Sequence, residues 1–235
     1  PHIQPMLQIA LPLLLTIGMS LILYQMGARR TARMLDAQST PLRDTGLDPL
    51  LAQMAHALEI PAIPVHVFEV DPVNGLAAPD GRIFLTRGFV QKYRQGDVTA
   101  PEIASVIAHE LGHVALGHSQ RRMIDMTGHT AVFVVLQAVL TRFIPVVGFW
   151  IANAITRAMS SHLSRGAEYE ADAYASALLV KSGIGTAPQK SLFLKLDRLV
   201  GMSGAPPAWL ASHPATADRI AAIEAREARW RGQAG

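Results

Sequence analysis

Apolar positions are distributed along this chain in a way that separates a leading segment from everything after it. From Pro1 to Ala28 there is no Asp, Glu, Lys or Arg, and Met6 to Tyr24 is almost continuously apolar. About 20 such residues cross a bilayer as a helix, so the pattern predicts a transmembrane anchor over residues 1–28. Arg29, Arg30 and Arg33 follow the apolar core, whereas a cleaved signal peptide carries its basic residues in front. That order predicts an inner or plasma membrane protein with its main domain on the cytoplasmic side.

Residues 29–46 read as a polar linker with a break at Ser39-Thr40-Pro41. Leu47, Leu50, Leu51, Met54, Ala55 and Leu58 then repeat at helical spacing up to Ile60-Pro61. Val65 to Val70 alternates as a strand, Asn74-Gly75 and Pro79-Asp80-Gly81 are turn signals, and Arg82 to Thr86 reads as another strand. The expected class is mainly α with a small antiparallel β-sheet. Pro101 and Glu102 behind Thr99 match a capping box, which opens a further helix. A second apolar region, residues 130–159, is interrupted by Arg142 and Pro145. It reads either as a membrane-associated hairpin or as a pair of helices packed inside the domain, which spans residues 47–235.

Composition narrows the chemistry. The 235 residues carry 21 Lys+Arg and 18 Asp+Glu, a net charge of +3, with 50% apolar and 17% charged residues. An average soluble domain is about 25% charged, so long stretches are held out of water. The basic residues are scattered, which argues against nucleic acid as a partner. With no cysteine, disulfides, iron–sulfur clusters, thiol nucleophiles and Cys-based zinc fingers are excluded. Any metal site must use His and carboxylates.

Such residues occur at ligand spacing. In His109-Glu110-Leu111-Gly112-His113 the two histidines are four apart, offset by about 40° and stacked one turn along the helix, so both imidazoles can converge on one ion. Glu110 sits beside them, placed to polarise water and to carry its proton to a leaving amine. A second helical stretch, Ser164 to Asp172, offers Glu168 and Asp172 on one face; one carboxylate can bind metal while the other orients a histidine. A His₂Glu set with one open position is the arrangement of a catalytic zinc, one ion per chain. His118, five residues after His113, points off the ligand face of that helix, and His2, His56, His66, His129 and His162 read as surface or locally hydrogen-bonded residues.

The pattern His109-Glu110-x-x-His113 followed by Ser164-Arg165-x-x-Glu168-x-x-Ala171-Asp172 resembles the HtpX-like and CAAX prenyl endopeptidase family of membrane zinc metallopeptidases, which are gluzincins. The resemblance runs from about Leu50 to Arg219. It includes Asn74-Gly75-Leu76-Ala77, similar to the family's Asn-Ala-x-Ala segment with Gly75 in place of the usual alanine, and Ser212-His213-Pro214 with Arg219-Ile220, similar to its His-Pro…Arg-Ile motif. The resemblance implies a zincin-type domain in which His109, His113 and Glu168 bind zinc. Glu110 would be general base and acid, and Asp172 would support a ligand. By the same likeness, Asn74 and Ala77 would lie on the strand that pairs with an extended polypeptide. His213 and Arg219 would hold the oxyanion or the substrate. It further implies cleavage of membrane or misfolded proteins. A reading from another class is a non-catalytic adaptor that binds extended polypeptide at the bilayer.

Overall fold

The computed structural model describes residues 3–78, 80–118, 132–133, 135–137, 140, 144, 148–203, 213 and 217–233. The chain forms two compact units: Pro1–Asp36 with His118–Gly166, and Ala37–Gly117 with Ala167–Gly235.

The first unit contains α1 (Ile3–Ala37) and the beginning of a long helix, here called α5 (Gly148–Lys181). Helix α1 continues through Arg29 to Ala37, so the first half of the expected linker is helical. Leu14, Leu15, Met19, Ile22, Leu23 and Met26 are exposed along it. Phe149 stacks edge to face on Phe133 and on Trp150, with ring centres 5.9 and 5.8 Å apart, and Trp150 is 67% exposed. Among the described residues no helix is long and apolar enough to cross a membrane. The expected transmembrane span is therefore not supported there. Many side chains of Met6–Tyr24, and much of the apolar insert 130–159, lie outside the described residues.

The second unit holds β1 (Ser39–Pro41), α2 (Asp48–Ala57), β2 (Val65–Phe68), β3 (Gly75–Ala77), β4 (Ile83–Thr86), α3 (Arg87–Arg94), α4 (Ala100–Ala115), the C-terminal part of α5, α6 (Ala187–Ser203) and α7 (Ala217–Gln233). The four strands form one sheet in the order β1-β2-β4-β3. It is mixed rather than wholly antiparallel, because β2 and β4 run parallel. The reason is the segment read as two turns: between them Gly75–Ala77 pairs antiparallel with β4 as a strand of its own. The chain thus reverses twice between β2 and β4 and re-enters in the same direction. Ser39-Thr40-Pro41 is likewise a strand, antiparallel to β2. Its proline is tolerated because β1 is at the sheet edge.

Central β4 is buried at every position, which is why Ile83-Phe84-Leu85 reads as a continuous apolar run without alternation. Against this sheet packs α4, buried from Glu102 to His113. Ile103, Val106, Ile107 and Leu111 join Leu47, Met54, Phe89, Leu179 and Leu192 in one core cluster. The capping box forms as expected: Thr99 Oγ1 accepts from the Glu102 amide, and Glu102 Oε2 accepts from the Thr99 amide at 2.8 Å. The other Glu102 oxygen accepts from Ser191, and Lys195 reaches Oε2 at 2.8 Å. This buried carboxylate thereby ties the start of α4 to α6. The chemistry-bearing helix is fixed at its N-terminus, by its apolar faces and by its neighbour α5.

Candidate metal centre

Helix α4 supplies His109, Glu110 and His113, and α5 supplies Glu168 and Asp172. What brings them together is a close backbone approach. A Cβ placed on Gly112 would lie 3.0 Å from the carbonyl oxygen and 3.1 Å from Cα of Ala171. Gly112 sits between the two histidines in sequence and Ala171 between the two carboxylates. The crossing therefore lies at the centre of the set.

Four side chains, His109, His113, Glu168 and His213, place ligand atoms within 4.8 Å of one another, and all are nearly inaccessible to solvent. Nε2 of His109 is 3.1 Å from Nε2 of His113 and 3.4 Å from Nδ1 of His213. Nδ1 of His213 is 3.0 Å from both Glu168 oxygens. Glu168 Oε2 is 3.4 Å from His109 Nε2, and Oε1 is 3.5 Å from His113 Nε2. A tetrahedral ion with ligands at 2.0–2.1 Å has donor–donor edges of about 3.3 Å. The observed separations scatter around that value, so the donors fit one small cation. His109, His113 and Glu168 would hold it, as the sequence predicts, with His213 as a fourth donor.

The electrostatics point the same way. Burial by itself would lower the His109 pKa, but hydrogen bonds to Asp172 and Glu168 outweigh it and raise it from 6.5 to about 9. Burial would raise Glu168, yet its bonds to His109 and His213 hold it far below the usual carboxylate range. Asp172 is also lowered: the opposing effect of burial is overcome by Arg219 and His109. The pocket thus favours positive charge at its centre, as a cation site must.

Asp172 accepts a hydrogen bond of 3.0 Å from His109 Nδ1, which turns Nε2 toward the other donors, where a bound cation would take the place of its proton. Arg219 donates to both Asp172 oxygens, from Nε at 2.6 Å and Nη2 at 2.8 Å. Its Nη1 is 3.3 Å from Glu168 Oε2, and its guanidinium lies 4.6 Å from the Phe193 ring centre. Arg219 is 2% exposed. The guanidinium thereby braces two carboxylates of the site. Nδ1 of His213 stands among the ligand atoms, while its Nε2 is 3.6 Å from Glu110 Oε1.

Glu110 is buried next to the cluster but is not one of its four donors. It faces β3: a Cβ on Gly75 would be 3.9 Å from Glu110 Cγ and 3.0 Å from Val106 Cγ1. Asn74 is locked to β4, its amide donating to Thr86 Oγ1 and its carbonyl accepting from the Thr86 amide. Ala77 pairs with Ile83. Strand β3 is the terminal strand of the sheet.

Sequence reasoning missed Phe193, Gln189 and Ser176, all buried around Asp172 and Arg219. Ser176 lies four residues after Asp172, the one spacing that marks it. Gln189 and Phe193 carry no local signal.

Comparison with known proteins agrees with this geometry. Residues 41–227 match Peptidase family M48. The chain is 32% identical over 160 residues to the metalloprotease LoiP of Escherichia coli, covering 68% of this chain and 61% of that protein. It is 31% identical over 189 residues to the metalloprotease YcaL of the same organism, covering 75% and 68%. Human mitochondrial metalloendopeptidase OMA1 is 21% identical over 164 residues, and there the match covers 66% of this chain but 30% of the relative. With its buried His/Glu donor set and a match across most of its length, the chain belongs to peptidase family M48.

Proposed function

We propose that this chain is a zinc-dependent metalloendopeptidase that hydrolyses peptide bonds of a polypeptide presented at a membrane surface. One observation carries the reading: a buried His/His/Glu donor set at tetrahedral spacing with a separate carboxylate, Glu110, beside it. Zinc suits this mixture of imidazole and carboxylate ligands. When bound, it supplies Lewis acidity that polarises a carbonyl and makes water a nucleophile at neutral pH.

The protein's own groups do the rest. Glu110 takes the proton of the attacking water and delivers it to the departing amine. Asp172 holds the His109 imidazole in one tautomer and orientation, and Arg219 holds Asp172. The terminal strand β3, next to Glu110 and anchored to β4 through Asn74, offers main-chain groups to an extended substrate along Gly75–Ala77. His213 sets the state of the site. With it, four donors surround the centre, the number of a closed site; without it, three remain, the number of a catalytic one.

Membrane association is supported by the exposed apolar side chains of α1 and the Arg29, Arg30, Arg33 cluster that follows them. Substrates among membrane or misfolded proteins fit that location, as does a domain on the cytoplasmic side.

The test is metal removal and return on the full chain purified in detergent. Casein cleavage should vanish on dialysis against 1,10-phenanthroline and recover with one equivalent of Zn²⁺. Cleavage that persists in the metal-free protein contradicts the assignment. Flotation of the same protein with anionic vesicles tests the membrane part; protein that stays at the bottom of the gradient contradicts it.

A further inference from the structure

Asp172 is held from a direction that no metal-binding motif supplies. Gln189, near the start of α6, is 2% exposed, and its Nε2 lies 3.4 Å from both the main-chain carbonyl and Oδ1 of Asp172. Its Oε1 accepts from Ser176 Oγ at 2.9 Å. Ser176 is fully buried, and its hydroxyl also lies 2.7 Å from the Asp172 carbonyl. Arg226 of α7 donates to that hydroxyl oxygen at 3.2 Å. The opposite amide orientation would set the Gln189 oxygen against two acceptor oxygens of Asp172, so the network fixes which end faces which.

The consequence is geometric. Oδ1 of Asp172 is the atom that receives the His109 Nδ1 proton, and Gln189 joins that oxygen to the main chain of the same residue. A group that bridges carbonyl and carboxylate restrains rotation of the side chain between them. Any swing of Asp172 would carry the His109 ring with it and move Nε2 away from the other donors. We propose that Gln189, backed by Ser176, is a positioning residue for the metal centre, setting the orientation of His109 through Asp172. This rests on the metal reading above. It also connects the seating of α6 and α7 to metal affinity, although the described part of neither helix supplies one of the four donors.

The experiment compares wild type, Gln189→Met, Ser176→Ala, Asp172→Asn and the double variant Gln189→Met/Asp172→Asn. Zinc affinity is measured by competition with a chelator of known affinity, and Co²⁺-substituted protein gives the visible ligand-field spectrum. Loss of a group that orients a ligand costs about 10–100-fold in metal affinity. Gln189→Met, which keeps the side-chain length, should therefore weaken zinc about tenfold and shift the Co²⁺ bands. Ser176→Ala should do the same in smaller measure. In the Asp172→Asn background Gln189→Met should add less than twofold, because its effect passes through Asp172. A merely structural Gln189 would lower thermal stability of the metal-free protein, leave affinity and spectrum unchanged, and so overturn the inference. Undiminished weakening in the Asp172→Asn background would overturn the route through Asp172. Wild type that binds no Zn²⁺ or Co²⁺ would overturn the metal reading and this inference together; metal-binding wild type with unaltered variants would overturn this inference alone.

Discussion

Gly112 and Ala171 meet backbone to backbone, with the Gly112 Cα facing the Ala171 carbonyl so closely that an added methyl would stand 3.0 Å from it. That contact sets the distance between the helix bearing the two histidines and the helix bearing Glu168. Gly112→Ala removes an unfavourable helix residue, worth up to about 1 kcal/mol. It also introduces a clash with main-chain atoms, which costs about 1–3 kcal/mol because backbone cannot rotate away. Thermal melts should show net destabilisation, and chelator competition should show weakened zinc binding, more so for Gly112→Val. Unchanged zinc affinity in both variants would mean that the crossing does not set the site.

Gly75 provides the contrast. An alanine there would meet Cγ1 of Val106 at 3.0 Å, a side-chain methyl rather than main chain, and would reach Glu110 only at ordinary contact distance. The φ of Gly75 is not positive, so a side chain suits its backbone. Gly75→Ala should keep casein cleavage within about threefold of wild type and cost under about 1 kcal/mol, within the range of tolerated small changes. A loss of activity comparable with that of Gly112→Ala would show that β3 and Glu110 are more tightly coupled than their contact implies.

Glu102 gives a pH dependence away from the metal. Burial opposes its ionisation, but Lys195, Ser191 and the Thr99 amide outweigh that and lower its pKa from 4.5. A carboxylate with a depressed folded pKa contributes stability that is present above its unfolded pKa of about 4.3 and lost as pH falls through the folded value. Melting temperature should therefore drop below about pH 5 more steeply for wild type than for Glu102→Gln. Parallel curves for the two proteins would remove Glu102 from the acid response.

His213→Ala separates a fourth donor from a substrate-binding group. If His213 closes the site, the variant keeps zinc through His109, His113 and Glu168, with weaker affinity, and cleaves casein at least as fast as wild type. Casein turnover slowed by about 10²-fold or more, with zinc retained, would return His213 to the oxyanion role.

Much of the site is legible in the sequence because its signals are local. Histidines four apart on one helix, carboxylates four apart on another and a Thr99–Glu102 capping box need no knowledge of the tertiary fold. Sequence fails where tertiary pairing decides. Asn74-Gly75 reads locally as a turn, and only the family resemblance places Asn74 and Ala77 on a strand, which forms because β4 offers an edge; Ser39–Pro41, read as a break, becomes a strand through β2. Arg219 is visible as a motif residue, yet its partners are not. Nothing local shows that its guanidinium braces Asp172 and Glu168. Gln189 and Ser176 are positions whose meaning depends wholly on what the folded chain places beside them.

The buried cluster, on this reading, holds a catalytic ion served by Glu110, which is no ligand itself. Glu110→Gln keeps size and hydrogen bonding but cannot take a proton from water. Zinc content and casein cleavage, measured on the same preparations of wild type and Glu110→Gln, test this most directly. One zinc per chain is expected in both proteins, with cleavage reduced by about 10²-fold or more in the variant. Equal cleavage by the two proteins would contradict the catalytic role of Glu110 and the metal chemistry built on it.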